Sequence, residues 1–218
     1  MDIILFGPPG AGKGTQAAAI CARAGVPHVS TGDIFRKNLR EGTALGKLAR
    51  GYMDAGQLVP DNVVCDLVTD RLAQPDAGGG ALLDGFPRTV AQAELLVAWL
   101  RSQGRQVDAV INLVVPDDVL VRRLSGRRTC PSCGATFHVD HNPPGADGMC
   151  TVCGKAQVVQ RPDDSDATVR ERLSTYHRDT AAVLPWLGAR GQVEDVDGTQ
   201  DIEQVKAQVM AALTQAGG

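Results

Sequence analysis

Four sets of residues in this 218-residue chain have types and spacings that could do chemistry. The first is Gly7-Pro8-Pro9-Gly10-Ala11-Gly12-Lys13-Gly14-Thr15, directly after the apolar run Ile3 to Phe6. Glycines so placed let backbone N–H groups turn inward around phosphate oxygens, and a helix N-terminus behind them adds partial positive charge. Lys13 then reaches the β- and γ-phosphates of a nucleoside triphosphate. Such loops place Ser or Thr directly after the lysine to meet Mg²⁺. Here Gly14 stands there and Thr15 follows, so Mg²⁺ is expected to rest more on phosphates, water and Asp84.

The second set is Leu82-Leu83-Asp84-Gly85-Phe86-Pro87-Arg88. It reads as a strand ending in a carboxylate, then a turn carrying a guanidinium. Ligands of parallel sheets sit at the carboxyl ends of strands, so Asp84 should point toward the phosphates and hold Mg²⁺ through water. The plainer alternative is a turn aspartate beside a surface arginine. The third set is cationic. Moving a phosphoryl group requires charge neutralised on three oxygens, which calls for several cations. Arg123 and Arg127 are four apart, expected on one face of a helix ending near Gly126. Arg161 and Arg172 follow, with Arg170 facing elsewhere. A lone helical arginine is ordinarily a solvated surface residue.

The fourth set is Cys130-Pro131-Ser132-Cys133 and Cys150-Thr151-Val152-Cys153, sixteen residues apart. That is a zinc spacing. Each pair grips one side of a tetrahedral ion, and four thiolates leave no open position for water, so the metal would be structural. Two disulfides, a redox pair and a nucleic-acid-binding ribbon are the alternatives. His138 and His141 lie between the pairs and are not needed as ligands. Cys21 and Cys65 stand alone on expected helices and read as packing residues.

The elements that must position these groups alternate. Strands are expected at Ile3 to Phe6, Val26 to Val29, Ala81 to Asp84, Asp108 to Val115 and Val193 to Val196. Helices are expected over Thr15 to Ala24, two short ones between 31 and 59 broken near Gly42, one from Pro60-Asp61, one through Leu100, one over Asp117 to Gly126 and one over Asp201 to Leu213. Thr89 with Gln92 fits a capping box. Continuous apolar strands alternating with helices mean a parallel sheet covered on both faces. Residues 127 to about 164 break the rhythm: they are rich in Cys, Gly and Pro and too poor in aliphatics to build a core.

Lys and Arg number 22 against 25 Asp and Glu, a net charge of −3, which argues against a general nucleic-acid binder. No apolar run approaches the ~20 residues of a membrane span, and the first residues lack a signal-peptide pattern. The expectation is therefore a cytosolic protein with reduced cysteines.

Taken together, GPPGAGKGT, STGD at Ser30 to Asp33, LLDGFPRT at Leu82 to Thr89, SGRR at Ser125 to Arg128, and RPDD with TVRERL between Arg161 and Leu173 resemble the adenylate kinases, in their long form with a zinc-bearing lid. The motifs run in family order over nearly the whole chain. The resemblance implies a three-layer α/β fold of the P-loop nucleoside triphosphate hydrolase type, with a central five-stranded parallel sheet. The core would be 1–29, 60–126 and 165–218. A nucleoside-monophosphate-binding insert would be 30–59 and a zinc-bearing lid 127–164, both mobile.

The implied reaction is ATP + AMP ⇌ 2 ADP with Mg²⁺, in purine nucleotide homeostasis, by a cytoplasmic monomer with one structural Zn²⁺ and no nucleic-acid or membrane partner. The resemblance assigns ATP to Gly10, Ala11, Gly12, Lys13, Gly14, Thr15, Arg123, Arg127, Thr136, Phe137 and Gln200. It assigns AMP to Thr31, Gly32, Arg36, Gln57, Leu58, Val59, Gly85, Phe86, Pro87, Arg88, Gln92, Arg161 and Arg172. Lys13, Asp84, Arg88, Arg123, Arg161 and Arg172 would carry catalysis. Gln92 thus has two readings, adenine contact or partner of Thr89 in the capping box. Asp163 and Asp164 also have two, a pair at the lid hinge or acids favourable to a helix N-terminus.

Overall fold

The computed structural model describes residues 1–191 and 193–216; Gln192, Gly217 and Gly218, within the expected core segment 165–218, lie outside the described residues. Strand β1 (Asp2–Phe6) occupies the centre of a five-stranded sheet. Its neighbours are β3 (Ala81–Asp84) and β4 (Val107–Val114); β2 (His28–Ser30) lies outside β3 and β7 (Val193–Asp197) outside β4. All four pairings are parallel. The two-residue strand period splits β1 between two cores. Ile3 and Leu5 join Ile20, Ile111, Leu113 and Val209 on one face; Ile4 and Phe6 join Val68, Leu83, Leu96 and Val183 on the other.

Helices complete the outer layers. α1 (Lys13–Ala24), α6 (Asp117–Ser125), α7 (Asp166–Thr175) and α9 (Ile202–Ala216) cover the first face. α4 (Asp61–Leu72), α5 (Val90–Ser102) and α8 (Val183–Gly188) cover the second. The three-layer architecture with five parallel strands is the one the sequence implies.

α2 (Thr31–Glu41) and α3 (Ala44–Asp54) pack on each other, separated at Gly42 as expected. Ser30 and Thr43 cap them, accepting from the N–H of Asp33 at 3.3 Å and of Gly46 at 3.0 Å. β5 (Arg127–Thr129) and β6 (Thr136–His138) form an antiparallel hairpin.

Two expectations need correction. Arg123 and Arg127 do not share a helix face: α6 ends at Ser125, and Arg127 is on β5. The chain turns because the Gly126 carbonyl accepts from the Val139 N–H at 3.0 Å, and the His138 ring fills the space a Cβ at Gly126 would need. Second, a five-residue π-helical segment, Tyr176–Thr180, joins α7 to a short α8 that the sequence did not suggest. The Tyr176 ring rests on Phe6, centroids 6.0 Å apart, so tertiary contact rather than helical periodicity shapes this stretch. No helix among the described residues is long and apolar enough to cross a membrane.

Candidate functional site

The loop after β1 lies where the sheet order reverses, with β3 on one side and β4 on the other, the crevice where such sheets bind ligands. Gly10 and Gly12 have φ of 88° and 100°, closed to most side chains, and Gly10 also lies against Leu124. α1 has no side-chain cap and no acid in its first turn, so its N-terminus keeps its positive end for an anion. Lys13 Nζ folds over the loop and donates to the carbonyls of Gly7 at 2.6 Å and Pro8 at 3.0 Å. Burial pulls its ammonium down to about 8, against the raising field of Asp84.

Asp84 ends β3 beside this loop. Burial opposes its charge, but a hydrogen bond from His28 at 3.3 Å and the field of Lys13 outweigh that, and its carboxyl is held below the usual range. It is ionised and faces the cleft.

Cations gather around the same space. Burial and then Arg172 lower Arg88 to about 10. Burial, then Arg36 and Arg127, lower Arg161 to about 9. Arg172 is also lowered, by burial first and with contributions from Arg127 and Arg36. Guanidiniums that depress one another make a site whose missing component is an anion. Each is also aimed by a polar partner. Arg88 Nε donates to the Gly85 carbonyl at 2.7 Å, which also accepts from the Thr31 hydroxyl at 2.9 Å. Arg36 donates to Asp33 at 2.6 Å, and Arg161 to the Thr129 hydroxyl at 2.8 Å.

Asp163 and Asp164 belong to a short 3₁₀ turn before α7, so they do not form the acidic first turn of that helix. Asp164 is wholly buried and takes two bonds from Arg127, at 2.7 and 2.5 Å, and one from Arg172 at 3.1 Å. Arg172 also reaches the Asp163 carboxylate at 3.1 Å. These two acids tie the base of the cysteine segment to the helix behind it.

One cleft of about 1530 Å³ collects Gly10, Ala11, Gly12, Lys13, Gly14 and Thr15 with Asp84, Phe86 and Pro87. Arg123, Arg127, Arg161, Arg172, Thr136, Phe137 and Gln200 line it as well. A smaller cavity of about 80 Å³ collects Thr31, Gln57, Val59 and Gln92. Gly32, Arg36, Leu58, Gly85, Arg88 and Arg172 border both. The Phe137 ring is buried with Cys130 and Cys150, so its side chain serves the packing of its own segment.

The four Cys sulfurs lie within 4.8 Å of one another. Cys130 Sγ is 3.6 Å from Cys153 Sγ, and Cys133 Sγ is 3.6 Å from Cys150 Sγ. A tetrahedral ion with ~2.3 Å metal–sulfur bonds requires sulfurs ~3.8 Å apart, so the set fits such an ion. The two halves repeat one turn: Gly134 N–H donates to Cys130 O and Gly154 N–H to Cys150 O, each at 2.9 Å. This segment has only Cys130, Phe137 and Cys150 as buried apolar residues.

Gln92 departs from the capping-box reading. Its backbone N–H donates to the Thr89 hydroxyl at 3.2 Å, so half of the box forms. Its side-chain oxygen accepts from Arg88 N–H at 2.7 Å, one residue before the cap, and its Nε2 donates to Asp61 at 2.6 Å. Sequence reasoning missed Asp33, His28 and Asp61, the partners that aim Arg36, Asp84 and Gln92. Asp33 three residues before Arg36 was the one local signal.

Residues 5–192 match the family model described as Adenylate kinase. The chain is 52% identical to an adenylate kinase of Moorella thermoacetica over 213 residues, 98% of each chain. It is 52% identical over 213 residues to one of Acidothermus cellulolyticus, again 98% of each, and 51% identical over 205 residues to one of Clostridium beijerinckii, 94% of each.

Proposed function

The chain belongs to the adenylate kinase family of nucleoside-monophosphate kinases and is a phosphotransferase, and on that premise we propose that it catalyses ATP + AMP ⇌ 2 ADP by direct in-line transfer. The observation that carries this reading is the shared border of the two cavities: Arg36, Arg88 and Arg172 face both. Two nucleotides seated there would meet phosphate to phosphate.

The donor would lie with its phosphates on Gly10 to Thr15 and Lys13. Arg123 and Arg127 would hold its remaining charge, with Thr136, the main chain of Phe137 and Gln200 near its base. The acceptor would lie in the smaller cavity. Arg36 and Arg88 would fork its phosphate, which a planar guanidinium fits at two oxygens. Thr31, Gly32, Gln57, Leu58, Val59, Gly85, Phe86, Pro87 and Gln92 would hold its nucleoside.

An acceptor phosphate oxygen attacks the γ-phosphorus and the bond to the β-phosphate oxygen breaks, so no side chain forms a covalent intermediate. Lys13, Arg88, Arg123, Arg161 and Arg172 stabilise the charge that spreads over the travelling group. The ionised Asp84 would hold Mg²⁺ through water, and the ion bound with ATP would supply further neutralisation of phosphate charge. Residues 30–59 and 127–164 would act as mobile inserts that shut out water, protecting ATP from hydrolysis. Cys130, Cys133, Cys150 and Cys153 would hold one structural Zn²⁺. The enzyme would work as a cytoplasmic monomer in purine nucleotide homeostasis, with no nucleic-acid or membrane partner.

The test is a coupled assay with Mg-ATP and AMP, GMP, CMP or UMP. ADP should form fastest with AMP. Faster turnover with any other acceptor, or none with AMP, would refute the proposal.

A further inference from the structure

We propose that Asp61 is a specificity-determining residue: it fixes the orientation of the Gln92 amide so that the acceptor cavity accepts a 6-aminopurine and rejects a 6-oxopurine. The inference rests on the adenine contact proposed for Gln92 and goes beyond it to the residue that decides what Gln92 can read.

An amide has two donor hydrogens on nitrogen and two acceptor lone pairs on oxygen. In Gln92 one of each is spent within the protein. Nε2 donates to Asp61 Oδ1 at 2.6 Å, and Oε1 accepts from the Arg88 N–H at 2.7 Å. Neither partner can exchange roles. An ionised carboxylate only accepts, and a backbone N–H only donates. Turning the amide over would set oxygen against carboxylate and nitrogen against N–H, two buried mismatches at a residue 1% exposed.

Asp61 is itself held. Its other oxygen, Oδ2, accepts from the Thr89 hydroxyl at 2.9 Å, and Thr89 caps α5, the helix that carries Gln92. Asp61 begins α4, one intervening residue beyond the Gln57 to Val59 stretch that lines the same cavity. It thus joins the cavity wall to the helix that reads the base.

One hydrogen on Nε2 and one lone pair on Oε1 remain, in a fixed spatial order. Adenine offers a 6-amino donor beside a ring-nitrogen acceptor, which satisfies both. Hypoxanthine has the same size but offers a 6-oxo acceptor beside an N1–H donor, the reverse order. It would require the amide orientation that Asp61 and Arg88 forbid. A site built around fixed polar partners rejects such an analogue because its own groups are left unpaired.

The experiment compares AMP and IMP as acceptors with Mg-ATP, using the full chain and its Asp61→Asn variant. An amide at position 61 can donate or accept, which removes one of the two mismatches that oppose turning Gln92 and leaves only the one at the Arg88 N–H. The kcat/KM ratio of AMP to IMP should fall by about tenfold or more, with IMP gaining in absolute rate. A ratio unchanged within about twofold, or one that falls only because AMP is lost, overturns the proposal. Thr89→Ala, which removes the cap and one bond to Asp61, should lower Tm and keep the ratio. An equal change in ratio there means general loosening and also overturns it. If the Asp61→Asn chain folds poorly, Asp61→Ser removes the same carboxylate and is read by the same criterion. Failure of the underlying reading is separate: wild-type protein would then make no ADP from AMP.

Discussion

The helix pair α2–α3 and the cysteine segment 127–164 line the same cleft but are held together by different means. Phe35 and Ala49 of the helix pair are buried in the core cluster that also contains Val59, Val64 and Phe86. Its shape therefore derives from the main body of the protein. The only apolar residues that the cysteine segment buries are Cys130, Phe137 and Cys150, and two of those three are sulfur ligands of the proposed ion. Four thiols at these separations, once ionised, repel unless a cation lies among them. One region is an extension of the hydrophobic core, while the other has in place of a core four cysteines positioned to bind a metal ion. A metal so held would order the segment without giving it apolar surface to stick by.

Stripping the metal should break this comparison most sharply. A chelator under reducing conditions, or Cys150→Ser, should abolish amide-exchange protection over 127–160 while leaving α2, α3 and the central sheet protected. Thr136, Phe137 and Arg127 would lose their positions, and a displacement of this kind costs on the order of 10²-fold in rate. ADP formation should fall by about that factor. A stripped protein that kept both its exchange pattern and its rate would show that this segment folds by packing after all.

A pH series sharpens the contrast between the two phosphate sites. The Lys13 ammonium sits at about 8 rather than 10.5, chiefly through burial, and the Arg88 guanidinium is lowered to about 10 for the same first reason. Between about 8 and 10.5 the unfolded chain holds a Lys13 proton that the folded chain lacks, so this group adds to stability as pH rises through that window. Its effect on binding has the opposite sign, because the donor phosphates need the charged ammonium. Raising pH from 7.5 to 9 should raise KM for ATP by about tenfold and KM for AMP by no more than about twofold, the part that Arg161 at about 9 contributes. Equal changes in both would mean that Lys13 is not the group that titrates.

The same contrast explains what the sequence made legible. The phosphate loop, the buried strands and the paired cysteines are written in contiguous residues, and each lies in the structure within a few residues of its expected place. The strand at Ala81–Asp84 matches residue for residue. The arginines also lie on one cleft, through motif order. What was not legible is which acid aims which cation or amide. Asp164 meets Arg127 across 37 positions, and Asp61 meets Gln92 across 31. Such pairs exist only once the sheet and helices have brought distant segments together. Arg127 was misplaced for a related reason: SGRR continues a helical pattern, and only the hairpin with β6 pulls it out of the helix. The π segment was hidden because its shape follows the contact of Tyr176 with Phe6, not a local period.

The smallest expected effect lies in the helix pair itself. Thr43 caps α3 by accepting from Gly46 N–H at 3.0 Å, and its hydroxyl donates to Asn38 Oδ1 at 2.7 Å, joining the end of α2 to the start of α3. Thr43→Ala removes both bonds at the break between the helices. Losing such a cap costs about 1 kcal/mol. Because the pair is anchored in the main core through Phe35 and Ala49, that cost should appear as local opening and not as loss of the fold. Amide exchange should quicken within 38–50 and stay unchanged over 127–160. KM for AMP should rise by up to about fivefold, the factor equivalent to 1 kcal/mol, with KM for ATP constant. If ATP binding weakened in parallel, the two regions would be coupled through the cleft rather than separately supported, and the contrast between a packed insert and a metal-built one would have to give way to a single closing unit.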